Sequence, residues 1–171
     1  MIELRHFSKS CLQLFEREIE IHTKLKHDNI VRCFDVIRTQ THIYIVLEYC
    51  PHGDLANYIQ QKKKLSEPNI VDIMSQVVNG YKYLAREGIL HRDLKPANVL
   101  RTGKVWKISD FGFSSRSGTF VDDINVGTPL YMPIESLVKS YYSVKTDIFA
   151  LGVILYELLH GKTPWECDTE A

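Results

Sequence analysis

The sequence predicts an α+β fold, with strands gathered in the first third and helices dominating the rest. Two β-branched and aromatic runs, at 31–37 and 43–47, read as strands. A 3.6-residue apolar period runs through Ile70, Ile73, Val77, Tyr81 and Leu84, and a second helical stretch from Val144 to His160 is apolar nearly all round. A chain of 171 residues with 44% hydrophobic and 11% aromatic residues supports one domain with a substantial core.

In chain order, Leu12 to Lys26 is helical by period, with Leu14, Ile21 and Leu25 on one stripe. Glu18 lies on that stripe, either at its edge reaching water or facing inward to meet a cation. The polar Arg38-Thr39-Gln40-Thr41 splits the two strand runs into an antiparallel hairpin, and Cys50-Pro51-His52-Gly53 ends the sheet as a linker. Ser66 is placed to cap the next long helix, with Glu67 and Pro68 in its first turn and Gly88 as its stop. Ala97–Leu100 and Val105–Ile108 flank Thr102-Gly103 as a second hairpin. Residues 112–129 are rich in Ser, Thr, Gly and Asp with weak periodicity, which predicts a mobile functional loop. The helix from Val144 to His160 is expected to be buried on every side.

Composition excludes several classes. Twenty-one basic residues balance twenty-one acidic ones, so neither nucleic acid nor a membrane surface is recommended as a partner. Lys62-Lys63-Lys64 reads as a solvated loop. The longest apolar run, Ile148 to Tyr156, is about half the ~20 residues that a bilayer requires. The start of the chain has no apolar stretch of secretory type. Cys11, Cys33, Cys50 and Cys167 form no C-x-x-C pair and read as reduced thiols, which predicts a cytoplasmic setting.

The motif that carries chemistry is His91-Arg92-Asp93-Leu94-Lys95-Pro96-Ala97-Asn98, followed by Asp110-Phe111-Gly112. Transferring a phosphoryl group needs aligned reactants, neutralised charge and an acceptor for the hydroxyl proton. Asp93 is the candidate base, Asn98 and Asp110 are candidate magnesium ligands, and Lys95 is placed to meet the transferred phosphate. Any one of them alone reads as a polar loop residue; the spacing of all four points to one site.

On these residues the chain resembles the eukaryotic protein kinases, serine/threonine type, over nearly its whole length. The resemblance implies a protein-kinase-like bilobal fold. Residues 1–50 would be a partial small lobe with a regulatory helix and two strands, 51–53 the hinge linker, and 54–171 an incomplete, mainly helical large lobe. It implies ATP and Mg2+ as cofactors and a protein carrying Ser or Thr as substrate, with a regulatory protein partner in view. Glu18 corresponds to the inward-facing acid of the regulatory helix. Leu47, Glu48, Tyr49 and Cys50 resemble the hinge that meets adenine, with Leu47 as gatekeeper and Leu100 as the floor beneath the ring. Asp54 resembles the group that reaches the ribose, and equally reads as a helix N-cap. His22, Cys33, His91 and Phe111 match the family's stacked spine, anchored by Asp147.

Lys95 and Thr128 resemble the serine/threonine branch, and Thr128 is expected to contact Asp93 and Lys95. Arg92, as a buried guanidinium wanting an anion, suggests a loop ordered by phosphorylation, with Ser114, Ser115, Ser117 and Thr119 as candidate acceptors. The run Glu48 to Leu55 together with Asp110 to Phe113 is similar to autophagy-initiating and calcium-regulated kinases.

Two departures stand beside the resemblance. No G-x-G-x-x-G occurs, the first glycine being Gly53, and Lys9 is too close to the helix to be the strand lysine that would pair with Glu18. Ile2 and Leu4 resemble the tail of that strand. In Met132-Pro133-Ile134-Glu135 the proline is displaced by one from the family's Ala-Pro-Glu, and Glu135 is expected to be unpaired. A short sheet with an exposed edge, an apolar patch on the last helix and weak stability are therefore expected. The competing reading is a catalytically crippled, pseudokinase-like binding module or truncated gene product.

Overall fold

A computed structural model describes residues 2–3, 16, 19–62, 64–116 and 126–165. Strand β1 (Ile2–Glu3) precedes helix α1, described over residues 19–24. Strands β2 (Cys33–Arg38) and β3 (His42–Leu47) follow, then helices α2 (Leu55–Lys62) and α3 (Glu67–Arg86). Next come the short strands β4 (Ile89–Leu90), β5 (Val99–Thr102), β6 (Val105–Ile108) and β7 (Ser115–Arg116). Helices α4 (Ile134–Lys139) and α5 (Val144–His160) complete the described chain.

The small-lobe sheet has three strands in the order β1-β3-β2, one more than the two expected from the sequence. β1 pairs antiparallel with β3, Ile2 opposite Ile43 and Glu3 opposite His42. It is only two residues long, too short to show an alternating pattern. β2 and β3 form the predicted hairpin, with a register shift between Cys33 and Asp35. There the Asp35 carboxylate accepts from Val36 N at 2.8 Å. A bulge and a charged side chain on the outer strand are devices that discourage pairing with a foreign strand.

The segment leading into β2 fastens the small lobe to the large lobe. Ile30 bridges Ile108 in parallel, with Val31 N donating to Ile108 O and Ile108 N to Asn29 O, both at 2.9 Å. On the other side of this contact lies Gly80 of α3, where a Cβ would stand 2.6 Å from Asn29 O. A glycine within a 20-residue helix costs helix propensity, and the close approach of helix to backbone explains it. The Asn29 side chain also donates to Trp106 O at 3.0 Å. Because β6 leads directly to Asp110, this packing fixes where Asp110 emerges.

The core is continuous between the lobes, joining Ile21 and Leu25 to Leu55, Ile73, Val77, Ile108, Phe111 and Ile154. Helix α3 buries the stripe read from its period and ends before Gly88, which takes φ +68. Ser66 holds the N-cap position with extended backbone but makes no side-chain cap hydrogen bond, contrary to the expectation. The β5–β6 hairpin turns at Gly103, φ +60. Helix α5 opens with a reciprocal cap: Ser143 Oγ accepts from Lys145 N at 3.2 Å and Ser143 N donates to Thr146 Oγ1 at 3.0 Å.

α5 also corrects the expectation of burial on every side. Asp147, Ala150, Leu151, Ile154 and Leu158 are buried, while Ile148 and Leu159 are 54% and 52% exposed. Its apolar residues exceed what one face can bury, so an apolar surface remains, and Ile134 and Val138 of α4 are exposed as well. Among the described residues no helix is long and apolar enough to cross a membrane.

Candidate active site

Asp93 is buried in the loop between β4 and the 3-10 turn Pro96–Asn98. Thr128 Oγ1 donates to Asp93 Oδ1 at 2.7 Å. Lys95 Nζ lies 2.8 Å from Asp93 Oδ2 and 2.8 Å from Thr128 Oγ1, so the threonine hydroxyl accepts from the lysine and donates to the acid. Asn98 Nδ2 donates to Asp93 Oδ2 at 3.0 Å and to Asp93 O at 2.9 Å. A carboxylate offers about four lone-pair sites. With three donors placed, Asp93 is held rigidly and keeps capacity for one further proton donor.

The same bonds orient Asn98. With its amide NH2 turned to Asp93, its carbonyl oxygen is left as the acceptor, which is what a hard cation takes. Asp110 is exposed and adopts φ +61, a left-handed conformation that Asp tolerates better than most residues. One of its oxygens accepts from Gly112 N at 3.3 Å. An exposed carboxylate and an oriented amide oxygen at the ends of the β5–β6 hairpin suit a magnesium ion bound together with phosphates. Among the described residues no cluster of three or more His, Cys, Asp or Glu forms a protein-only metal cage.

Behind this layer, Asp147 accepts from His91 N at 2.8 Å and from Arg92 N at 2.9 Å. The His91 ring accepts from Asp93 N at Nδ1, 3.3 Å away, so its Nε2 carries the proton given to Ser109 O at 3.0 Å. Both ring nitrogens are thereby used in structure. Phe111 lies between two imidazoles, with ring centroids 4.6 Å from His22 and 5.2 Å from His91. His22 Nε2 is bonded to Val31 O at 2.8 Å, and burial holds its pKa below the ordinary range. This places the rings of His22, Phe111 and His91 in a tilted series of contacts, with the His91 backbone bound to Asp147. Cys33, the fourth residue expected there, opens β2 and directs its thiol to Asp35 O at 3.7 Å.

Residues 1–171 fit the family model described as protein kinase domain. The chain belongs to the protein kinase domain family. It is 42% identical over 153 residues to "Serine/threonine-protein kinase atg1" of Dictyostelium discoideum, covering 85% of this chain and 23% of that protein. It is 36% identical over 184 residues to "Serine/threonine-protein kinase unc-51" of Caenorhabditis elegans, covering 98% of this chain and 21% of that protein. "Aurora kinase C" of Mus musculus is 36% identical over 157 residues, which cover 91% of this chain and 56% of that protein. The chain thus spans about a fifth of the length of the first two relatives. Identities of 42% and 36% to differently named kinases identify the family rather than one branch of it.

Within the kinase domain, the segment expected to act as hinge leaves β3 at Leu47, which is 43% exposed. Glu48 N donates to Arg32 O at 2.8 Å, while its carboxylate meets Lys107 Nζ at 3.0 Å and Arg32 N at 3.2 Å. No described residue hydrogen-bonds the Glu48 carbonyl or the backbone groups of Cys50. Tyr49 points to solvent at 83% exposure, and Leu100 is half-buried. Asp54 bridges Leu100 and caps α2, its two oxygens accepting from Asn57 N at 2.8 Å and Asn57 Nδ2 at 2.6 Å.

The residues expected to take part in regulation divide. Arg92, at φ +67, donates from Nε to Phe113 O and sets its guanidinium 5.3 Å from the Tyr142 ring centre, so partners from within the chain engage it. Ser114 and Ser115 are buried; Ser114 Oγ donates to Phe111 O at 2.8 Å and Ser115 sits in the β4–β7 ladder opposite Leu90. Neither is accessible to a modifying enzyme in this conformation. Ser117, Thr119 and Glu18 lie outside the described residues, as do Cys11 and Cys167. Glu135 is half-buried in the first turn of α4, where unbonded backbone N–H groups favour an anion.

Sequence reasoning missed Tyr142 and the Glu48–Lys107 pair. Tyr142 and Lys107 lie in no motif, and each meets a partner distant in the chain.

Proposed function

We propose that this chain carries the catalytic core of a serine/threonine protein kinase, which transfers the γ-phosphoryl group of ATP to a hydroxyl of a protein substrate. The observation that carries the reading is the triangle of Asp93, Lys95 and Thr128, with all three contacts between 2.7 and 2.8 Å. Asp93 accepts the proton of the substrate hydroxyl as the oxygen attacks, and Lys95 offers its ammonium to the transferred group. Asn98 and Asp110 would hold magnesium, which when bound neutralises the phosphate charge. The open backbone groups of Glu48 and Cys50 receive adenine above Leu100, and Asp54 has the ribose within its reach besides capping α2.

The preserved base, lysine and amide favour an enzyme over a binding module, because competing for partners requires none of them. Cys33 and Cys50, which are free thiols among the described residues, support a cytoplasmic setting, and the apolar surface of α4 and α5 supports a protein partner. The test is phosphoryl transfer by the full-length protein from labelled ATP to a generic protein acceptor, with and without Mg2+. The reading expects Mg2+-dependent label on Ser and Thr alone. Nucleotide binding with no transfer under any condition would return the binding-module reading.

A further inference from the structure

We propose that Tyr142 is a positioning residue for phosphoryl transfer, fixing the segment that brings Thr128 onto Asp93; this rests on the kinase reading above. One hydroxyl serves both backbone groups of Val126: Tyr142 Oη accepts from Val126 N at 2.8 Å and donates to Val126 O at 2.6 Å. Val126 is two residues before Thr128. Between them, Gly127 takes φ +110 and passes so close to the loop before Asp93 that a Cβ there would lie 2.6 Å from Arg92 O. Only glycine satisfies both conditions. The position of Thr128 Oγ1 is therefore set by where Val126 is anchored.

The same side chain touches the other partner. The Arg92 guanidinium lies 5.3 Å from the Tyr142 ring centre, and Arg92 directly precedes Asp93. The ring thus borders the loop that carries the base while the hydroxyl holds the loop that carries Thr128. Tyr142 itself stands just before the capped start of α5, whose Asp147 binds the backbone of His91 and Arg92. Ring and hydroxyl are in this way referred to one rigid helix. Burial raises the Tyr142 pKa, so the phenol remains protonated at neutral pH and keeps the proton that Val126 O requires.

The substitution Tyr142→Phe keeps the ring against Arg92 and deletes both bonds to Val126. In the full-length protein it is expected to lower kcat by about tenfold or more, as misplacement of a reacting geometry does. KM for ATP is expected to stay within about twofold, because the hinge and Leu100 are untouched. A double-mutant cycle with Thr128→Val separates positioning from general weakening. If Tyr142 acts through Thr128, the second substitution adds little to the first. Additive losses in kcat, or an active enzyme unchanged by Tyr142→Phe, overturn the assignment while leaving the kinase reading intact. A wild-type protein that binds ATP and transfers nothing overturns the kinase reading and this assignment together.

Discussion

Arg92 takes a left-handed backbone conformation, φ +67, while its N–H is held 2.9 Å from Asp147 Oδ1. A long side chain rarely adopts that conformation unless its surroundings compel it. Asp147, from the first turn of α5, supplies the constraint by accepting from two successive amides, and Asp93 is the next residue along the chain.

Asp147→Asn leaves one acceptor for two buried N–H groups and turns an amide donor toward the other. The expected loss of unfolding free energy is about 2–4 kcal/mol, the range for a buried charge-assisted network broken on one side. Urea denaturation of the two proteins measures it, and equal midpoints would remove Asp147 from the account.

Gly80→Ala sets two effects against each other. Alanine gains about 1 kcal/mol of helix propensity over glycine in a helix interior. The new methyl, however, would lie 2.6 Å from Asn29 O, and backbone cannot swing aside as a side chain can. Overpacking of this kind costs about 1–3 kcal/mol, so a lower melting temperature is expected from calorimetry. A higher one would show that α3 and the segment at Asn29 separate easily.

Much of the fold was legible because its signals are local. Helix α3 followed from its apolar period, and the hairpin of β2 and β3 from two β-branched runs around a polar turn. The motif residues Asp93, Lys95, Asn98 and Asp110 could be read from spacing alone. What was not legible depends on segments far apart in sequence. Glu48 looked like a hinge residue only, yet its carboxylate is bound to Lys107; Arg92 looked like a phosphate-seeking cation, yet Phe113 O and the Tyr142 ring engage it. Hydropathy marked α5 as apolar without telling which residues the neighbouring elements cover.

His22 predicts a pH response. Burial lowers its folded-state pKa below the unfolded value of 6.5, so its neutral form is the native one. The unfolded chain then binds the proton more readily, and this contribution to stability is complete above pH 6.5 and declines as pH falls below it. The slope from one such group cannot exceed about 1.4 kcal/mol per pH unit. His22→Phe keeps an aromatic ring beside Phe111 and removes the titration. Urea midpoints taken between pH 7.5 and 5 should fall less steeply for the variant, and identical slopes would contradict the role assigned to His22.

Thr128→Val deletes the hydroxyl that accepts from Lys95 and donates to Asp93 while keeping the branched shape. A fall in kcat of about 10- to 100-fold is expected, with ATP affinity unchanged. Thr128→Ser restores the hydroxyl and should recover most of the rate in steady-state assays.

The central claim is that Asp93 accepts the proton of the attacking hydroxyl. The most direct measurement pairs single-turnover phosphoryl transfer with nucleotide binding in Asp93→Asn of the full-length protein. Losing a general base is expected to slow transfer by about 10²- to 10⁴-fold, while the dissociation constant for Mg-ATP stays near that of the wild type. Transfer at the wild-type rate in this variant would contradict the account.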